Sequence, residues 1–191
     1  MTLALMSGPA LEPISVSEAK AHLRLDGNAE DLLVASLIVT SRLHVEAALG
    51  LALIAQSWRM TLDRWPESGE LRFPLRPISA ITSITVRAGD GTPTTIAPED
   101  YLLDGHALRP RLIVREGRRT IPGLPVNGIE IVFGAGLGDV AEDVPRPIRH
   151  AILLLVAHWY EHRDPLEIGS AAAAIPPAVS ELLRPYREVR L

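Results

Sequence analysis

One late stretch constrains this chain more than any other. Residues 144–164 read VPRPIRHAILLLVAHWYEHRD. Pro145 and Pro147 stiffen the approach, and Pro147 suits a first helical turn, where its missing N–H costs nothing. From Ala151 to Ala157 every residue is apolar. A surface helix shows one apolar stripe, whereas a helix apolar all round is buried on all sides. The run is much shorter than the roughly 20 residues of a membrane span. The expectation is a central helix that packs on its own domain by one face and on a neighbouring subunit by another.

The rest of the chain divides by hydrophobic period. The first block reads as helices. Ser15 and Glu18 have the spacing of a capping box, with a short helix from Ala19 to Leu25. Asn28, with Asp31 three residues on, is expected to cap a long helix whose apolar positions include Leu32, Ile38, Leu43, Val45 and Leu49, and which stops at Gly50. The middle block alternates. Ser57–Asp63, Leu71–Leu75, Ile81–Val86, Thr94–Ile96, Tyr101–Leu103, Leu108, Leu112–Val114 and Ile129–Phe133 read as short strands, and Asp90-Gly91 marks a hairpin. The run Gly134-Ala135-Gly136-Leu137-Gly138 reads as a flexible link back to helix, and a last short helix runs from about Ala178 to Leu183. The fold class is α+β: mainly a helical bundle with an inserted small antiparallel β-domain. The expected divisions are 1–53 and 139–191 for the bundle and 54–138 for the β-region, together one composite domain.

Composition narrows the chemistry. The chain of 191 residues has no cysteine, which excludes disulfides and thiolate sites. A net charge of −4 gives no global attraction to nucleic acid. The N-terminus lacks the charged and apolar regions of a signal peptide. His158 and His162 have the four-residue spacing of two metal ligands, but Trp159, not glutamate, follows the first, so a helix terminus is the better reading. The glycine run departs from the dinucleotide fingerprint and is followed by Asp139, Glu142 and Asp143, which would repel a pyrophosphate. Asp63, Asp100 and Asp104 sit near strand ends without a partner that sequence can assign. No catalytic constellation emerges, and no cofactor or metal is expected.

Two basic stretches remain. Arg109, Arg111, Arg115, Arg118 and Arg119 face a single Glu116 in sequence, and could meet phosphate in a channel or another ring. No aromatic residue interleaves them, so base stacking is not expected and DNA contact would be non-specific. The second stretch is the tail, where Tyr186 stands among Arg184, Arg187 and Arg190 in the manner of interface anchors.

Taken together, these parts resemble a known family. They are the Ile14–Arg24 stretch ISVSEAKAHLR, Asp31 heading a long helix, and Gln56–Asp63. To these are added Pro74 and Pro77 followed by Ile81, Ser83, Ile84 and Val86; Tyr101 after Pro98-Glu99-Asp100; His158-Trp159-Tyr160-Glu161-His162-Arg163; and Pro176 before Leu182–Arg187. The order looks like that of the head–tail connector, or adaptor, proteins of tailed phages and phage-like gene transfer agents. The resemblance implies a non-enzymatic virion component: a ring, commonly of twelve copies, in the neck between portal and tail. It would be assembled in the bacterial cytoplasm. The implied partners are other copies of the chain, the portal protein, a tail-side stopper or terminator protein, and DNA in the channel, without a membrane. It assigns Leu182, Leu183, Arg184, Pro185, Tyr186, Arg187, Arg190 and Leu191 to portal contact. Two other readings stand beside it: a non-specific nucleic-acid-binding module using Arg109–Arg119, and a hydrolase or metal enzyme using His158 and His162 with an acid.

Overall fold

A computed structural model describes residues 1–162 and 175–187. The chain separates into two compact units. One takes residues 1–10 and 55–137, and the other takes 11–54 and 138–191.

The first unit is built from antiparallel sheets. β1 (Thr2–Ser7), β2 (Gln56–Leu62), β8 (Ile129–Ala135), β4 (Ile78–Arg87) and β5 (Pro93–Thr95) lie side by side in that order. A second sheet has the order β3 (Glu70–Arg72), β7 (Arg111–Val114), β6 (Tyr101–Asp104). β8 shows why the middle block reads as strand: Ile129, Ile131, Phe133 and Ala135 are buried at every second position, the period of a strand with one face in a core. Phe133 meets Phe73 with ring centroids 4.9 Å apart, a geometry that adds to the burial of both rings. The Asp90-Gly91 hairpin is present between β4 and β5. Gly91 takes φ +85, and the Thr92 N–H donates to Asp90 Oδ1 at 2.9 Å. Gly105 lies so close to Ile78 that an added Cβ would stand 2.1 Å from the Ile78 carbonyl oxygen, so no larger residue fits there.

The second unit is helical. α1 (Val16–Leu23), α2 (Asp31–Leu49), α3 (Arg146–Glu161) and α4 (Pro177–Leu183) are its α-helices among the described residues. α3 packs against each of the other three. The capping box at α1 is formed: the Ser15 N–H donates to Glu18 Oε2 at 2.8 Å, and the Glu18 N–H donates to Ser15 Oγ at 3.2 Å. Arg149 ties this cap to α3, reaching Glu18 Oε1 at 2.5 Å and the Pro13 carbonyl at 3.0 Å.

The α+β expectation holds, but the weighting toward a bundle does not: eight strands in two sheets stand beside the four described α-helices. The opening residues are not a prelude to helices, because Thr2–Ser7 pairs with β2 as a strand. Its run of mixed small and apolar residues has no clean alternation, which hid it. Leu108 lies in a turn between strands and is 55% exposed. Asn28 is not the cap of α2; Glu30 holds that position without a side-chain hydrogen bond. Asn28 and Asp31 instead accept hydrogen bonds from the sole lysine, Lys20, at 3.2 and 2.6 Å, and the Gly27 carbonyl accepts a third. The glycine run is not simply a link, since Gly134 and Ala135 belong to β8 and pair with β2 and β4. α3 is central, as expected, but not buried all round. Ile148, Ala151, Ile152, Leu155 and Val156 are buried, whereas Leu153, Leu154 and Ala157 are only half-buried.

Candidate interaction surfaces

The five arginines between Arg109 and Arg119 lie on and around the three-stranded sheet. β7 presents Arg111 beside β3 and β6, where register sets it opposite Arg72 and Asp104. Its guanidinium reaches Asp104 Oδ2 at 3.2 Å and Glu70 Oε2 at 3.3 Å. These contacts, Asp104 first, raise the Arg111 pKa above its ordinary value. Glu70 also accepts a bond from Arg72 at 2.9 Å, and that bond, more than any other influence, holds its carboxyl below the usual range. Arg118 pairs with Asp100 at 3.2 Å. The Arg119 guanidinium covers Gly69, where a Cβ would come within 2.9 Å of it. Arg109 lines an open, shallow concavity with Glu70, Arg72, Asp104, Leu108 and Arg111. A stretch that reads as strongly basic in sequence is thus interleaved with acids brought from elsewhere in the chain. Arg115 places its backbone N–H on the Asp100 carbonyl, 2.8 Å away.

The same contacts account for the strand-end aspartates. Asp100 and Asp104 serve Arg118 and Arg111, while Asp63 accepts the Asn127 N–H at 2.8 Å. That last bond helps set the loop from Arg115 to Gly128. Trp65 Nε1 donates to the Thr120 carbonyl at 3.0 Å, and the Gly123 N–H to the Arg87 carbonyl at 2.8 Å.

His158 and His162 come together at the end of α3, with ring centroids 4.6 Å apart. His162 Nδ1 stands 2.8 Å from the His158 carbonyl oxygen and its backbone N–H donates to the same oxygen. The pair thus closes the helix. Among the described residues no group of three metal-ligating side chains gathers.

At the C-terminus, Leu183 is 2% exposed and belongs to the helical core with Val179. Leu182 and Tyr186 are half-buried, while Arg184, Pro185 and Arg187 face outward. Arg184 pairs with Glu181 at 3.3 Å. Arg190 and Leu191 lie outside the described residues.

Sequence reasoning missed a network inside the helical unit. Arg42, in the middle of α2, donates to Glu12 Oε2 at 2.7 Å and to Glu46 Oε2 at 2.6 Å. Glu46 Oε1 accepts the Leu53 N–H at 2.9 Å. Burial works against the Arg42 charge, but its bond to Glu12, with Glu46 beside it, reverses this and raises the pKa overall. The available signal was an i,i+4 Arg–Glu pair in an otherwise apolar helix.

No family model matches this chain, and no curated protein does. Solved structures do. A chain of the structure described as "Neck of empty GTA particle computed with C6 symmetry" is 28% identical, with a TM-score of 0.82 over 100% of this chain and 97% of that one. The values are the same for a chain of "Virion of native gene transfer agent (GTA) particle". A chain of "Neck of native GTA particle computed with C12 symmetry" is 25% identical, with a TM-score of 0.78 and the same coverage. The likeness is full-length, and it takes in both the sheet unit and the helical unit.

Proposed function

We propose that this chain is a structural, non-enzymatic subunit of the neck of a gene transfer agent or related tailed particle. In this reading copies form a closed ring, commonly of twelve, that adapts the portal to the tail-side proteins and leaves a passage for DNA. The observation that carries the reading is the full-length likeness to neck-particle chains at a TM-score of 0.82. A closed ring needs two different faces on each subunit, one for each neighbour. The part-exposed leucines of α3 and the outward residues of α2 supply apolar surface for such contacts.

The adaptor role extends this to named surfaces. Leu182, Arg184, Pro185, Tyr186 and Arg187, with Arg190 and Leu191 beyond them, are the proposed portal contact; Leu183 contributes by anchoring α4. Arg109, Arg111, Arg115, Arg118 and Arg119 are the residues proposed to face a channel or an adjoining ring. Arg111 and Arg118 are already engaged with acids, which suits a surface past which DNA slides rather than one that grips phosphate. The same pairing weighs against a dedicated nucleic-acid-binding module. Omitting this chain from producing cells tests the proposal. Separate heads and tails are expected to accumulate, and tailed particles that form normally without it overturn the reading.

A further inference from the structure

The end of α3 brings two imidazoles within reach of a single ion. His158 and His162 are one helical turn apart and so stand on the same side of the helix. Their ring centroids lie 4.6 Å apart. With a metal–nitrogen bond of about 2.1 Å, an ion in the ring plane stands roughly 3.2 Å from a ring centre, so two imidazoles sharing it have centres up to roughly 6.4 Å apart. The pair is well inside that limit, at a spacing that suits adjacent ligand positions. His162 also has its tautomer set. Its Nδ1 lies 2.8 Å from the His158 carbonyl oxygen. A carbonyl only accepts, so Nδ1 carries the proton and the Nε2 lone pair is left for a metal, which is how metal-ligating histidines are held. His162 is exposed and His158 half-buried, so solvent reaches the pair. The last carbonyls of a helix add a negative potential that favours a cation there.

We infer that His158 and His162 form a two-ligand site for a divalent transition-metal ion of the zinc or nickel class. The inference stands independently of the neck reading. Imidazole nitrogen selects such ions over magnesium and calcium, which take oxygen ligands. Among the described residues no third ligating side chain, acid or imidazole, joins the pair, and water can fill the remaining positions. The site is thus a clasp: the ion ties the residue that caps α3 to the turn before it and holds the helix end closed. A second histidine pair in the helical unit gives an internal comparison. His22 and His150 meet edge to edge with centroids 6.3 Å apart. That is the limit of the reach of two imidazoles on one ion, where only a linear arrangement serves.

The test is isothermal titration calorimetry of the full chain, free of any histidine tag, with nickel chloride and with zinc chloride. The wild type is expected to bind one ion saturably at submillimolar concentration. His158→Ala and His162→Ala are each expected to bind at least about tenfold more weakly, because one ligand remains. His22→Ala is the control and is expected to bind like the wild type, and circular dichroism checks that each variant is folded. Thermal denaturation of the wild type gives a reading that needs no variant. Nickel chloride should raise Tm and a chelator should reverse the rise, because a ligand of the folded state stabilises it. A wild type without saturable binding, or a Tm unmoved by saturating nickel, overturns the inference. So does wild-type affinity in either His158→Ala or His162→Ala, or a loss in His22→Ala as large as theirs. A response to magnesium chloride equal to that to nickel would assign the binding to carboxylates and also overturns it. None of these outcomes bears on the neck reading, which the particle experiment tests separately.

Discussion

The two arginine networks of this molecule invert what their sequences suggest. The stretch from Arg109 to Arg119 is conspicuous in sequence, yet Arg111 remains 45% exposed where it meets Glu70 and Asp104. Arg42 is a single cation in an apolar helix and is 7% exposed, clamped between Glu12 and Glu46. Exposed pairs gain little, because water screens them and two side chains must be held in place. A buried charge gains little net stability as a pair, but it is very costly once its partner is removed. The inconspicuous network should therefore govern folding, and the conspicuous one should govern what the surface meets.

The sharpest way to break this comparison is Arg42→Met. It keeps the aliphatic volume but removes the cation that Arg42 supplies to Glu12 and Glu46. We expect a loss of about 3 kcal/mol in urea denaturation, the lower end of the range for broken buried pairs because Glu12 keeps some exposure. The loss should persist in high salt, because buried pairs are poorly screened. A loss indistinguishable from that of a surface substitution would mean that the helical unit tolerates the loss of the Arg42 cation, and the contrast would fall.

Legibility follows the same divide. Alternation exposed the strands from β2 to β8, since a sheet with one core face must repeat with period two, and Ile129, Ile131 and Phe133 do so. Glu18 three residues after Ser15 gave the α1 cap, because that motif is local. What failed was non-local. Thr2–Ser7 becomes a strand only because β2 is there to pair with it. The acids that temper the arginines come from β3, β6 and the short turn before β6, and no local pattern links Glu70 to Arg111. On α2 the apolar positions were legible, but their direction was not. Leu32 and Leu43 look like core by spacing, and the buried face is instead defined by Val34, Ile38, Ser41, Val45 and Leu49. The candidate portal residues could be named only through the resemblance, because a short helix and a tail carry no physical signature of their partner.

A smaller effect is expected at Glu18, a network of intermediate kind. Backbone hydrogen bonding from Ser15 is the main reason its carboxyl is held below the ordinary value of 4.5, with Arg149 adding to this. The lowered value means that the carboxylate stabilises the fold above pH 4.5 and that this contribution fades as the pH falls below it. Glu18→Gln should cost about 0.5 kcal/mol at neutral pH after allowance for solvent screening. Below the carboxylate range the difference from the wild type should vanish, as thermal denaturation across pH will show. A difference that grows in acid would reverse the sign and point to a carboxyl whose pKa is raised by folding.

The smallest expected effect is at Arg111, and it separates the two networks most directly. Arg111→Met removes the cation shared by the exposed Asp104 and the half-buried Glu70. Each remaining carboxylate keeps access to water, and Glu70 keeps its bond to Arg72. The denaturation midpoint should stay within the error of the wild type at high salt and differ only marginally at low salt. The change should instead appear at the surface, where two acids lose their counterion and the concavity beside Arg109 turns more negative. If the cluster lines a passage for DNA, that change is a repulsion felt by a moving polyanion, and particle delivery should fall while folding is untouched. A large loss of stability would place Arg111 in the same class as Arg42 and remove the distinction between a network that holds the fold and one that dresses its surface.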